Sequence, residues 1–579
     1  MSAPALTSGF VLVGRGVLAL ACCKLLAARG LALHAVVSDD DALLHWARLG
    51  GIPCLPEPSR LIEMDWGESR PILLSVANEQ LIPARVLELF AHAINFHDAP
   101  LPHYAGSHAT SWALMARERS YAVSWHHMTS IADTGDVMLQ VPVRIEANET
   151  ALTLNAKCHE AALESFPVLL DRLALGDFKG RRQNPSRRKF FPRDRRPESA
   201  AILNWASEAD ELSALVRALS FGPYVNRLGL PKIWLDQAVI AVRRLNVCAE
   251  RSTDAPGTVV SMTDESLAVA TGSHDVALRD FLSLDGRVLT LADLATRFSL
   301  RQGIVLPAAG WSEAADSAAV GSCGWKDEAK WMGLFSDLKP VALPVRTSVP
   351  VDFAASSCVV LPARQHGFPP PLDAGDPALV VVLAYLARSS GTCVFDIGLR
   401  WGRAQVVLSA ADALLADTRP FRVVLDPDQP FNWFRRDCLT RLAAWRSRKP
   451  YLRDAVARYP GVVRPRGWDD FCSWPISVEL NSIGETCPAA SLESPSALTF
   501  RICATSGQVT LAHAGLEVRL LDQLVSQMTT FAENCLTGPN TPLHDLALLP
   551  FSEHAALQGA IRGVSINREA NTKSRQRLR

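Results

Sequence analysis

Residues 9–37 read GFVLVGRGVLALACCKLLAARGLALHAVV, and this stretch decides the fold. Phe10 to Val13 is a short apolar run, as a buried strand requires. Gly14 and Gly16 bracket Arg15 in a glycine turn, and an apolar segment of helical length follows, closed by Gly30. A second apolar run, Leu31 to Val37, completes strand, helix, strand. That order opens a doubly wound, Rossmann-like α/β sheet. The G-R-G fragment invites a dinucleotide reading, but Ala19 stands where G-x-G-x-x-G needs its third glycine. NAD binding is therefore disfavoured. Asp39 to Asp41 suit a helix N-terminus before ALLHWARLGG.

Outward from this core the alternation continues. PILLSVAN predicts a strand, PARVLELFAH a helix, AINFHDA a strand running into a loop, and SYAVSWHHMT another strand. ALTLNAKCHEAALESFPVLLDRLALG reads as one amphipathic helix ending at Gly176. These pieces make one α/β domain over 1–178. Residues 179–200 are basic and proline-punctuated, a linker by composition whose charge could also face a phosphate, a carrier protein or RNA. Short strand-like runs predict a small OB-like β-barrel domain over 201–309. Residues 310–345 read as a second linker, 346–560 as another α/β unit, and 561–579 as a basic tail.

The chain has 579 residues, 48% of them hydrophobic and 20% charged, with formal net charge +0. These values exclude wholesale disorder and a surface built throughout for nucleic acid. The 13 cysteines form no C-x-x-C, which suggests neither a zinc site nor a disulfide framework and fits a reducing cytoplasm. No signal peptide or membrane span is expected, since Arg15, Lys24 and Arg29 interrupt the first apolar stretch.

The chemistry is concentrated in 93–114, AINFHDAPLPHYAGSHATSWAL, and 122–141, AVSWHHMTSIADTGDVMLQV. Asn95 and His97 lie two apart on a strand and share one face. Asp133 lies in an acidic glycine turn, I-A-D-T-G-D. An amide and an imidazolium can donate to a developing oxyanion, and a carboxylate can keep the imidazole charged and accept an amine proton. The sequence expectation gathers all three at adjacent strand ends. No serine or cysteine sits in a nucleophile elbow, and no metal ligand set is evident.

N-F-H-D-A-P-L-P-H-Y-A-G followed by S-W-H-H-M-…-D-T-G-D resembles the folate-dependent formyltransferases. The resemblance covers about residues 8–307 and implies transfer of a formyl group from 10-formyl-tetrahydrofolate to an amine. It implies Asn95, His97 and Asp133 as catalytic residues. It places the pterin against the loop Ser75 to Pro83, with Ser75, Ala77, Asn78, Gln80, Leu81 and Ile82, and against the turn carrying Ile131, Ala132 and Asp136.

Methionyl-tRNA formyltransferases usually carry a basic insertion after the second strand, whereas Ser38-Asp39-Asp40-Asp41 is acidic, which counts against tRNA. HDAPLPHYAGSHATSWAL and ETALTLNAKCHEAALESF look most like formylation domains of nonribosomal peptide synthetases. That likeness implies an aminoacyl carrier protein or adenylation–carrier module as partner. GLEVRLLDQLVSQMTTFAENCLTGPNTPLHDLALLPFSEHAAL is similar to the end of a condensation domain. The motif H-H-x-x-x-D-G is missing, so this part reads as a non-catalytic C-lobe-like unit. The alternatives are another amine (methionyl-tRNA, an amino sugar or hydroxyornithine), hydrolysis of the formyl donor, or a docking fragment with little catalysis.

Overall fold

The computed structural model describes residues 9–66, 70–235, 238–307, 325–341, 375–401, 413–462, 474–481, 498–504, 507–513 and 518–549. The chain divides into two compact units, one mainly from residues 1–309 and one mainly from 310–579.

In the first unit, β1 (Phe10–Gly14), β2 (Leu33–Val37), β3 (Cys54–Leu55), β4 (Ile72–Val76), β5 (His92–His97), β7 (Ser120–His127) and β8 (Val137–Arg144) form a seven-stranded sheet, with β6 (Ala105–Gly106) outside it. The order is β3-β2-β1-β4-β5-β7-β8. β1 and β4 are buried at every position, because helices cover both faces of a parallel sheet and leave no wet side. Helix α1 (Gly16–Ala28) turns Leu18, Ala19, Cys22, Cys23 and Leu26 inward, a helical spacing that makes one apolar stripe. The Asp40 carboxylate caps α2 (Asp41–Leu49) by accepting from the Leu43 amide at 2.9 Å. The long helix expected near 151–176 runs over Ala151–Ala174, opened by a capping box at Thr150.

The doubly wound expectation needs one correction. β1 to β5 pair in parallel, but β5–β7 and β7–β8 are antiparallel. The end of β7 therefore lies level with the middle of β5: His127 pairs with Ile94. The turn carrying Asp133 does not leave from the same strand end as His97.

The stretch 179–200, read as a linker, is pinned along the first unit. Arg181 exchanges backbone hydrogen bonds with Val137 at 2.8 and 2.9 Å. β9 (Phe190–Phe191) pairs in parallel with β6, and Phe191 stacks on Tyr104 and Trp112. The Phe191 side chain anchors it, a tertiary effect that composition does not reveal.

The strands expected to form a barrel are β10 (Lys232–Leu235), β11 (Ala238–Val247), β12 (Val259–Met262), β13 (Leu267–Val269), β14 (Val276–Leu282) and β15 (Val288–Leu289). They pair along the open path β10-β11-β14-β13-β12, with β15 on β14. No β12–β10 pairing closes this sheet among the described residues. Ile233, Val242, Val259, Leu278 and Phe281 fill its core.

The second unit holds β16 (Val394–Trp401), β17 (Thr418–Val424), β18 (Ile476–Asn481), β19 (Leu498–Cys503) and β20 (Val509–His513), in the order β17-β16-β18-β19-β20. The central pairs are parallel and the edges antiparallel. Trp331, Tyr385, Phe395, Trp445 and Phe531 share its core. The 310–345 linker reading is corrected in part, because Trp325–Ser336 is a helix whose Trp331, Met332 and Phe335 are buried. The basic tail 561–579 lies outside the described residues.

Candidate active site

The chemistry-bearing side chains sit on one face of the sheet. Strand alternation puts Asn95 and His97 on the same face of β5, and the antiparallel register sets His126 opposite Asn95 and Ser124 opposite His97. The Asp133 turn folds back over that face. Its Oδ2 accepts from the Gly106 amide at 2.8 Å. Its Oδ1 lies 3.5 Å from His126 Nε2 and 3.9 Å from His97 Nδ1. The three predicted residues are thus brought together, by a returning loop rather than by adjacent strand ends.

Each ring has a defined proton arrangement. His97 Nε2 lies 2.9 Å from the Tyr104 carbonyl, which only accepts, so Nε2 carries a proton. Nδ1 then faces Asp133 and Asp98, each at 3.9 Å, too far for a direct hydrogen bond. Protonated, it is a donor pointed into the gap between them. Burial pushes the His97 pKa down, but Asp133, then Asp98 and the Tyr104 carbonyl, outweigh it and hold the imidazole above its usual value. For Asp133, burial raises the carboxyl pKa; His97, with the hydrogen bond from the Gly106 amide, overcomes this and holds it well below the usual carboxylate range.

His126 is a site residue that sequence reasoning did not single out for this chemistry. Its Nδ1 lies 2.8 Å from the His127 carbonyl, so in the neutral ring Nε2 is the acceptor. Asn95 Nδ2 donates to it at 3.1 Å. This fixes the orientation of the Asn95 amide and leaves its second N–H free. The signal for His126 was its register opposite Asn95, which a single sequence does not show.

The turn itself is strained and braced. Asp133 adopts a left-handed φ of +58°, a conformation that costs free energy in a non-glycine residue. A Cβ on Gly135 would stand 1.9 Å from the His127 carbonyl oxygen, so only glycine fits. Gln183, from the basic stretch, donates to the carbonyls of Asp133 and Gly135 at 3.0 and 2.6 Å, and Arg188 donates to that of Ala132 at 3.1 Å. Losing two such hydrogen bonds costs on the order of 1–3 kcal/mol. Gln183→Ala is accordingly expected to lower turnover roughly tenfold while leaving the fold intact, read by steady-state rates beside thermal melting. An unchanged rate contradicts the brace.

The other predicted residues fall on two loops. Ser75 is buried in β4, in register with Asn95 of β5. Ala77 turns the chain with φ +50°. The Asn78 carboxamide ties the loop by accepting from the Gln80 amide at 2.9 Å and donating to the Gln80 carbonyl at 2.8 Å. Ile82 is inside the protein, while Leu81 is 85% exposed. Across the site, Ile131 is 62% exposed and Ala132 and Asp136 complete the second loop. Among the described residues no cluster of His, Cys, Asp or Glu could hold a metal ion, no helix is long and apolar enough to cross a membrane, and nine cysteines are free.

Comparison with known proteins gives two family matches. Residues 70–170 match the model described as "Formyl transferase", and residues 197–299 match "Formyl transferase, C-terminal domain". A methionyl-tRNA formyltransferase from Citrifermentans bemidjiense is 26% identical over 262 residues, 44% of this chain and 79% of the relative. Among solved structures, the sugar 3N-formyl transferase WlaRD, with dTDP and 5-N-formyl-THF, covers 47% of this chain and 97% of its own at 16% identity and TM-score 0.39. HypX from Aquifex aeolicus, in complex with tetrahydrofolic acid, covers 53% of this chain and 50% of its own at 17% identity and TM-score 0.38.

Proposed function

We propose, from the premise that a chain carrying both formyl transferase domains is a formyltransferase, that its donor is 10-formyl-tetrahydrofolate and its acceptor a primary amine. The observation that carries this reading is the convergence of Asn95, His97 and Asp133 on one sheet face.

In this reading the amine nitrogen attacks the formyl carbon, forming a C–N bond as the donor's N10–C bond breaks. Asn95, through its free N–H, and His97, through Nδ1–H, donate to the formyl oxygen as it gains negative charge. Asp133, ionised at rest, keeps His97 protonated and takes the amine proton directly or through water as the C–N bond forms. That proton then passes to the departing N10, so charge and atoms balance. Leu81 and Ile131 cover the two faces of the pterin, and the 75–82 loop offers it backbone polar groups. Sequence resemblance supports assigning Ser75, Ala77, Asn78, Gln80, Leu81, Ile82, Ile131, Ala132 and Asp136 to this donor site.

For the acceptor, the reading favoured is an aminoacyl thioester on a carrier protein, as in nonribosomal peptide initiation in the cytoplasm. Its supports are the motif likeness around residues 97–114 and 149–166 and the acidic Asp39–Asp41 in place of a basic insertion. Residues 346–560 are read with it as a condensation-like lobe that docks partner modules. Competition among aminoacyl carrier protein, methionyl-tRNA and an amino sugar for formyl from one donor pool tests this. Preferential formylation of the carrier is expected, and preferential formylation of tRNA or sugar overturns the acceptor assignment. Donor turnover without any amine would mark a hydrolase instead.

A further inference from the structure

A cavity lies at the carboxyl ends of β1, β2 and β4, with an open volume of about 580 Å³. Its walls include Arg15, Arg193 and Arg227. These come from three distant segments: the β1–α1 turn, the basic stretch and the segment before β10. All three guanidiniums converge on one carboxylate. Glu79 Oε2 is 2.6 Å from Arg227, 3.4 Å from Arg193 and 3.8 Å from Arg15. Arg15 also lies 3.6 Å from Asp39, the only other carboxylate in the lining. Two carboxylates against three arginines leave the cavity net positive, at the N-terminal end of the thirteen-residue helix α1, whose first-turn amides add further positive potential. Burial pushes the nearby His108 pKa down, and Arg196 and Arg227 push it further, to about 4.

From this arrangement we infer that the cavity is a phosphate site for the acceptor, in which an acceptor-borne phosphate takes the place of the Glu79 carboxylate among Arg15, Arg193 and Arg227. The inference rests on the formyl-transfer reading for the word acceptor; the anion site itself does not. Glu79 is half exposed, so water reaches its ion pairs and screens them in part. A phosphate dianion brings more charge and more acceptor oxygens to donors already gathered, and guanidinium forks match its geometry. The cavity includes Asn78 and Gln80 of the loop leaving β4, and β4 carries Ser75 in register with Asn95. A phosphate held there sits against the loop that leaves β4, the strand paired with the one that carries Asn95 and His97. Arg193 also gives the basic stretch a specific role beyond solvation.

Titration calorimetry of the full chain with inorganic pyrophosphate tests this. Wild type is expected to bind with an affinity that falls as salt rises. Glu79→Gln is expected to bind about tenfold tighter, because the competing carboxylate is gone. Arg193→Gln combined with Arg227→Gln is expected to lose binding, with melting temperature checked alongside. The opposite sign expected for Glu79→Gln keeps the test decisive even if the double variant folds poorly. Unchanged affinity in Glu79→Gln, or retained affinity in a folded double variant, overturns the inference. Displacement of pyrophosphate by 4′-phosphopantetheine ahead of a nucleoside diphosphate assigns the phosphate to a carrier arm, and the reverse order assigns it to a nucleotide; displacement by neither overturns the acceptor role. The titration contains no formyl donor and no amine, so a failure of formyl transfer leaves its result standing, and a failure here leaves formyl transfer standing.

Discussion

Asp133→Asn is expected to lower kcat/KM on the order of a thousandfold and to move the remaining activity to lower pH. The substitution is nearly isosteric, and the asparagine oxygen still accepts from the Gly106 amide that now holds Oδ2 at 2.8 Å. The turn therefore stays in place and only the charge is lost. With it goes the proposed base for the amine proton, a contribution of about 10²–10⁴ in rate. The carboxylate that outweighs the burial of His97 goes too, leaving Asp98 and the Tyr104 carbonyl to oppose it. At about 4 Å a unit charge pair is worth a few kcal/mol even with strong screening.

The signs follow from the two shifts. His97 has a raised pKa, so the stability it contributes is complete below its unfolded value of about 6.5 and is lost as pH rises through the raised folded value. Asp133 has a lowered pKa, so its contribution is present above its unfolded value of about 3.9 and is lost only as pH falls through the lowered folded value. The charged pair is therefore complete between about pH 4 and 6.5. Wild-type activity should fall on the alkaline side as His97 deprotonates. In Asp133→Asn that limb should shift acidward, together with the His97 titration followed by NMR. A variant with the wild-type alkaline limb contradicts the role of Asp133.

The second large effect is expected at Asn95. Asn95→Ala removes one donor to the developing oxyanion, which typically costs about 10²–10³ in kcat. It also leaves His126 Nε2 without the N–H that reaches it at 3.1 Å. KM for the formyl donor should change far less than kcat, because the interaction grows with charge in the transition state. His97→Ala should cost a similar factor. Because both residues act on one oxygen, the double variant should lose less than the product of the two single losses. Fully multiplicative losses would mean that the two side chains serve separate steps.

Much of this was legible in the sequence, and the physical reasons differ by feature. The first strand, helix and strand were readable because burial on both faces writes continuous apolar runs at β1, β2 and β4. The Asp39–Asp41 helix start was readable because capping is local. Asn95 and His97 were readable as a pair because strand alternation is local too. What the sequence concealed is set at long range. The antiparallel turn of β7 brings His126 opposite Asn95, and no local pattern distinguishes it from a parallel strand. Gln183 reaches the Asp133 turn across fifty positions of chain, from a stretch whose composition reads as solvated. Phe190, Phe191 and Gly106 hold that stretch down, a pairing of two-residue strands too short to announce itself. The helix at Trp325–Ser336 was hidden similarly, since its buried face becomes apparent only against the core it packs on.

Formyl transfer through Asn95, His97 and Asp133 is open to a direct test by intact-mass spectrometry. An aminoacyl-loaded carrier protein is incubated with 10-formyl-tetrahydrofolate and the full chain, then with the His97→Ala chain. A gain of one formyl mass on the acceptor is expected with wild type, and none above background with His97→Ala over the same time. Equal formylation by both chains would contradict the assigned chemistry, and donor consumption with no formyl on any amine would contradict transfer itself.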